Sequence, residues 1–129
     1  MRRIVVFVVV TLLSASATPP QQRHFTTFWS GDKLLEDCQP ITRADRQELS
    51  EHQVAYGVPC YGYVLGVADA TNSFGYQHQI PQMYCVPEHV TPDQLVRVVV
   101  KWLENNPERL HMAGALVVNA ALTTAFPCN

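Results

Sequence analysis

The chain has 129 residues, nine Lys/Arg against eleven Asp/Glu and a formal net charge of −2. That length fits one domain, large enough to bury a core but helped by covalent staples. A mildly acidic balance argues against nucleic acid as a partner, since such affinity comes from neutralising phosphates, and it fails the polybasic criterion for anionic membrane surfaces.

The N-terminus reads as an export signal. Arg2 and Arg3 form a positive n-region, Ile4 to Leu13 an apolar run, and Ala15 and Ala17 satisfy the small-residue rule for cleavage. Ten apolar residues rise only about 15 Å as a helix, half of the roughly 30 Å hydrocarbon core, so the segment is read as a signal peptide over 1–17 rather than an anchor. Cleavage leaves seven Lys/Arg and eleven Asp/Glu, a net charge of −4. This suits solubility and is compatible with a cationic protein partner. No membrane insertion is expected after cleavage, and the location implied is periplasmic or secreted. Residues 18–29 begin with a polar, proline-rich stretch (TPPQQRHF) and read as a flexible mature N-terminus.

Residues 30–129 read as a single helical domain. Ser30 is a candidate cap for a short helix containing Leu34, Leu35 and Cys38, stopped by Pro40. Thr42-Arg43-Ala44-Asp45 resembles a second start, with Glu48 and Glu51 facing solvent, and Gly57-Val58-Pro59 reads as a break. Pro59 then opens an apolar helix with Cys60, Tyr61, Val64, Leu65, Val67 and Ala68, ending at Asp69, for which a hydrogen-bonding partner is expected. Gly62 and Gly66, four apart, suggest close helix packing. Residues 71–89 (TNSFGYQHQIPQMYCVPEH) read as a long loop between helices. Its aromatics either fold back on the core or form a recognition surface. As partner-binding candidates the loop supplies Phe74, Tyr76, His78 and Tyr84; Phe74, Met83 and Tyr84 are also the candidates for folding back.

The strongest element starts at Thr91. Thr91 as N-cap, Pro92 at the first helical position and Gln94 three residues after the cap form a capping box, and Val90 with Leu95 a hydrophobic staple. Leu95, Val98, Val99, Trp102 and Leu103 continue at helical period, and Val96 and Val100 off that stripe imply cover on more than one side. Asn106 and Pro107 restart a helix running to about Ala125, with Leu110, Leu116, Val117 and Ala121 apolar. Gly114 inside it costs about 1 kcal/mol against alanine, a cost accounted for if a neighbouring helix approaches closely there. The short turn between the two predicts an antiparallel hairpin.

Four cysteines in an exported chain read as two disulfides. Zinc is disfavoured because no two lie at C-x-x-C spacing and His24, His52, His78, His89 and His111 are scattered. Cys85 lies just before the Thr91 helix and Cys128 just after its antiparallel partner, so these ends are adjacent. Cys38 ends the first helix and Cys60 begins the apolar one, giving Cys38–Cys60 and Cys85–Cys128. Each bridge would stabilise by about 3–4.5 kcal/mol.

No catalytic motif stands out: there is no G-x-S-x-G, H-E-x-x-H, G-x-G-x-x-G or P-loop. Glu36-Asp37 and Glu48 with Glu51 read as solvated helix faces. Neither enzymatic activity nor a cofactor or metal is expected. The fold class implied is all-α: a small disulfide-stapled bundle of about four to five helices.

A set of segments carries a family resemblance. They are Ser30-Gly31-Asp32-Lys33-Leu34-Leu35 with Cys38, Cys60-Tyr61-Gly62-Tyr63-Val64, and Gly66-Val67-Ala68-Asp69-Ala70. There follow Cys85-Val86-Pro87-Glu88, Val90-Thr91, Gln94-Leu95, Val98-Val99-Val100-Lys101-Trp102-Leu103, Asn106-Pro107-Glu108 and Ala125-Phe126-Pro127-Cys128. In this order, over roughly residues 30–128, they resemble the periplasmic immunity proteins that neutralise type VI secretion amidase effectors. The resemblance implies a small disulfide-bonded helical fold, often a homodimer, that binds an exported peptidoglycan amidase and occludes its active site. Residues 39–59 and 74–82 match no family pattern, and there an immunity protein would carry partner specificity. The other class of function compatible with the chain is an envelope stress, chaperone-like or scaffold protein with no toxin partner.

Overall fold

The computed structural model describes residues 28–43 and 50–129, with backbone alone at positions 43, 52 and 56. The expected signal peptide, most of the expected N-terminal tail, and Ala44, Asp45 and Glu48 lie outside the described residues. Four α-helices make the fold: α1 (Gly31–Arg43), α2 (Glu51–His78), α3 (Pro92–Asn105) and α4 (Gly114–Ala125), with a 3₁₀ turn at Pro107–Arg109 between the last two. Among the described residues the one β-type pairing is an isolated bridge between Ser30 and Ala113. The all-α bundle is therefore the observed class.

Helix α1 starts where the chain before it is tied to the α3–α4 connection. Gly31 N–H donates to the Met112 carbonyl and Asp32 N–H to that of Leu110, both at 2.9 Å, which satisfies two of the helix's orphan donors. Trp29 stacks on Tyr63 of α2 at 5.0 Å between ring centroids, and its carbonyl accepts from Gly114 N–H at 2.7 Å. Pro40 does not stop α1, which continues to Arg43. The carbonyl a proline at this position leaves without a donor is that of Glu36, an exposed residue, so water can serve it.

Helix α2 is longer than the sequence suggests. Ser50 caps it in a full capping box with Gln53, and it runs unbroken for 28 residues, about 42 Å. The expected break at Gly57-Val58-Pro59 is absent. Pro59 frees the carbonyl of Ala55, which is exposed, and the helix passes through at little cost. Gly57 is a packing glycine: a Cβ there would come within 2.2 Å of Ile41 Cγ2, so its lack of a side chain lets α1 and α2 cross closely. Gly62 and Gly66 do the opposite of what their spacing suggests, since a Cβ on either meets nothing within 4 Å. They lie on the exposed face of α2. Nor does Asp69 end the helix, which goes on to His78 and takes in the first eight residues of the expected loop.

Helix α3 begins as its sequence dictates. Thr91 Oγ1 accepts from Gln94 N–H at 3.3 Å, and Thr91 N–H donates to Gln94 Oε1 at 2.7 Å. Leu95, Val96, Val99, Val100 and Leu103 are its buried face, which places Val96 and Val100 at the centre and leaves Val98 and Trp102 at the margin. Pro107 opens only the 3₁₀ turn, and α4 starts at Gly114 rather than containing it. Here the close approach is real: a Cβ on Gly114 would meet Tyr63 Oη at 2.9 Å, Leu34 Cδ1 at 3.0 Å and the Trp29 carbonyl oxygen at 3.0 Å. Helix α4 buries Val117, Val118, Ala121 and Leu122, whereas Leu116 faces out.

The core gathers one face of each helix, with Leu34 and Cys38 from α1, Cys60 and Val64 from α2, Leu103 from α3 and Leu122 from α4 all fully buried. Disulfides join Cys38 to Cys60 and Cys85 to Cys128, with Cα–Cα distances of 5.4 and 5.0 Å. Both pairings are those the helix order implies. A polar chain crosses the bundle outside the core: Tyr61 Oη donates to Asp93 at 2.5 Å, Arg97 pairs with Asp93 at 2.6 Å, and Arg97 also donates to the Thr42 carbonyl. It fastens α2, α3 and the end of α1.

Candidate functional site

The last two turns of α2 and the segment after them form an exposed pole. The helix ends at Gln79, whose left-handed backbone (φ 54°) directs its N–H at the Gly75 and Tyr76 carbonyls, while Ile80 N–H donates to Gly75 O at 2.9 Å. This is the usual geometry of a helix stop, built with glutamine where glycine is commonest. It folds the following residues back along the helix. Ile80, Pro81 and Met83 then face Ala70 and Phe74 across a shallow apolar groove of about 730 Å³. Phe74, Ile80 and Met83 are each half exposed, at 57%, 50% and 52%.

The four partner-binding candidates separate. Phe74 and His78, one turn apart, touch with ring centroids 4.2 Å apart. Tyr76 is 87% exposed and, about 200° round the helix from Phe74, stands apart from that pair. Tyr84 is a core residue at 1% exposure. Its hydroxyl donates to the Ala68 carbonyl at 3.3 Å and lies 3.4 Å from Asn119 Oδ1, which accepts from Thr71 at 3.1 Å. Burial pushes the Tyr84 phenol above its ordinary pKa, the Thr71 hydroxyl opposes this, and the Asp69 carboxylate adds to it. Tyr84 therefore cannot present its ring to a partner. It pins the segment that carries Ile80 and Met83. Ile80 is the site residue the sequence reading passed over, and Met83 faces the groove instead of the core. No local signal marks them, because the helix they fold back on carries no apolar stripe past Asp69.

The stretch of sequence that carries the pole is of one charge sign. From residue 51 to 96 there is no lysine or arginine, and the acidic residues are Glu51, Asp69, Glu88 and Asp93. Asp93 is engaged by Arg97 and Tyr61, whereas Asp69 and Glu88 are exposed. An apolar groove on a stretch that carries carboxylates and no lysine or arginine suits an apolar anchor flanked by cationic groups.

The features that would carry chemistry elsewhere are used structurally. Asp37, expected on a solvated face, is 6% exposed and paired with Lys33 at 2.8 Å. The Asp37 carboxylate in turn holds the Lys33 ammonium above the ordinary lysine range. Among the described residues no group of His, Cys, Asp and Glu is placed to hold a metal ion, no cysteine is free, and no helix is long and apolar enough to cross a membrane.

No curated protein matches the chain. The family model of the Rap1a immunity proteins matches residues 30–128, the stretch from the bridge residue Ser30 to the last disulfide cysteine. With that match covering most of its length, the chain belongs to the Rap1a immunity proteins, a type VI effector immunity family.

Proposed function

We propose that the chain is exported to the periplasm and there binds and inhibits a peptidoglycan amidase delivered by type VI secretion, using the α2 pole as its contact surface. The family supports an inhibitory rather than a catalytic role and a cognate toxin as the partner. The Arg2–Ala17 pattern supports export. The resemblance to amidase-effector immunity proteins supports the toxin class. The observation that carries the choice of surface is the grouping of Phe74, Ile80 and Met83, half exposed around one groove, on a sequence stretch without lysine or arginine.

A tight hydrolase inhibitor buries on the order of 1,600 Å² with a few anchoring side chains. Phe74 and Met83 are the anchors of the groove, and Tyr76 reaches farthest into solvent. Inserted at the mouth of an amidase cleft, such a pole excludes the wall peptide without any chemistry of its own.

The test is protection of cells from siblings that deliver the amidase. Deleting the gene should sensitise cells, the wild-type chain should restore protection, and a Phe74→Asp/Met83→Asp chain should not, despite normal folding. Cells that stay equally resistant after deletion would sink the immunity reading. Full protection by the double variant would move the contact away from the pole.

A further inference from the structure

The two disulfides differ in what can reach them. Cys38 and Cys60 are both 0% exposed, enclosed between α1 and α2. Cys85 and Cys128 are both exposed. Thiol–disulfide exchange needs a thiolate to approach a sulfur along the S–S axis. The outer bridge therefore lies at the surface, where a reductant can approach it, and the inner one is closed off while the bundle is folded.

The outer bridge also closes over the segment that follows α2. It sits against Gln82, whose Oε1 is 3.6 Å from the Cys85 sulfur and whose carbonyl oxygen is 3.7 Å from the Cys128 sulfur. Beyond it, the 79–90 segment is tied to the bundle by the buried Tyr84 ring and by Cys85 N–H donating to the Phe126 carbonyl at 2.8 Å. Phe126 itself is the C-cap of α4, so that second tie ends on the tail that the bridge holds down.

We propose that Cys85–Cys128 is a site of thiol–disulfide exchange with a dithiol reductant, and that opening it frees the 127–129 tail and loosens the 81–83 strap while the bundle stays folded. A thiolate of the dithiol attacks one sulfur, forming a mixed disulfide and expelling the other cysteine as thiolate. The second thiol of the reductant closes on the mixed disulfide. Two electrons pass to the protein, which gains two thiols, and the reductant leaves as a cyclic or intramolecular disulfide. Met83 loses its fixed position against Phe74 while Ile80 stays tied to the Gly75 carbonyl, so the groove loses part of its far wall. The release itself is independent of any partner; its effect on toxin binding rests on the function proposed above.

The test is a dithiothreitol pulse on the native, oxidised, signal-free chain, quenched by alkylation and mapped by mass spectrometry. Cys85 and Cys128 should be alkylated on the order of a hundredfold sooner than Cys38 and Cys60, because opening the buried pair requires an unfolding excursion. At that stage the far-ultraviolet circular dichroism should be unchanged, and amide exchange should rise in 81–90 and 126–129 but not in α3. A Cys85→Ser/Cys128→Ser chain should give the same exchange pattern without reductant. Simultaneous opening of the two bridges, earlier opening of Cys38–Cys60, or unaltered exchange in 81–90 would overturn the proposal. If the segment loosens and amidase inhibition is unaffected, the exchange site stands and the docking role of the groove falls.

Discussion

Along α2, residues 60–68 and residues 74–83 with the chain that follows are built from similar apolar side chains put to different use. Cys60, Val64 and Ala68 point into the core and touch α1, α3 and α4, which hold the helix in place. Phe74, Ile80 and Met83 line one groove and leave about half of each side chain in water. The first set contributes stability by burial. The second gains little from its own contacts and keeps its area for a partner.

The largest break in that contrast should come from the buried bridge. Replacing Cys38 and Cys60 by alanine removes a ring-closure contribution of about 3 kcal/mol and two buried sulfurs, for a total loss of about 4 kcal/mol. Urea unfolding measures it directly. Gly114→Ala should follow, costing about 2 kcal/mol, because the added Cβ presses on the Trp29 carbonyl oxygen, a backbone atom unable to turn away. Tyr84→Phe should cost about 1 kcal/mol through the lost hydrogen bond to Ala68.

Tyr84 adds a pH arm to the same test. Its phenol binds its proton more tightly in the folded chain than in the unfolded one. The corresponding stability is complete below the ordinary value of 10.0 and is lost as pH rises through the higher folded value. The phenylalanine variant should lack that alkaline decline. At the far end of the scale, Tyr76→Ala should change stability by less than about 0.5 kcal/mol yet weaken toxin binding about tenfold or more. Calorimetric titration against the purified amidase, beside a melting curve, checks both halves. A melting shift as large as that of Gly114→Ala would show that the pole supports the fold after all.

Legibility in the sequence follows the same division. Helix α3 announces itself because its cap, proline, staple and apolar stripe are all local, and each reports the same boundary. The disulfide pairing could be inferred once α3 and its successor were read as a hairpin. The far end of α2 was not legible. Between Asp69 and His78 the helix has one side in solvent and lacks an apolar stripe, so its composition is that of a loop. Its order comes from the packed turns behind it and from a stop made by Gln79, a residue with no strong preference for the left-handed region. Pro40 and Pro59 mislead for the opposite reason: each sits where the carbonyl it frees is exposed, so the helix survives. Tyr84 shows the limit most clearly, because the groups that meet its buried hydroxyl, on Ala68 and Asn119, lie 16 and 35 positions away.

The two cross-links close separate rings, 38–60 and 85–128, arranged in series with residues 61–84 as the only covalent strand between them. A protease that nicks the chain within either ring leaves one molecule until reductant is added. A nick between 61 and 84, a stretch that includes the exposed pole, parts the chain into an α1–α2 piece and an α3–α4 piece joined by packing alone. The same projection that would serve recognition is thus the covalent weak point of the molecule, and non-reducing gels of limited digests would display it as two bands in place of one.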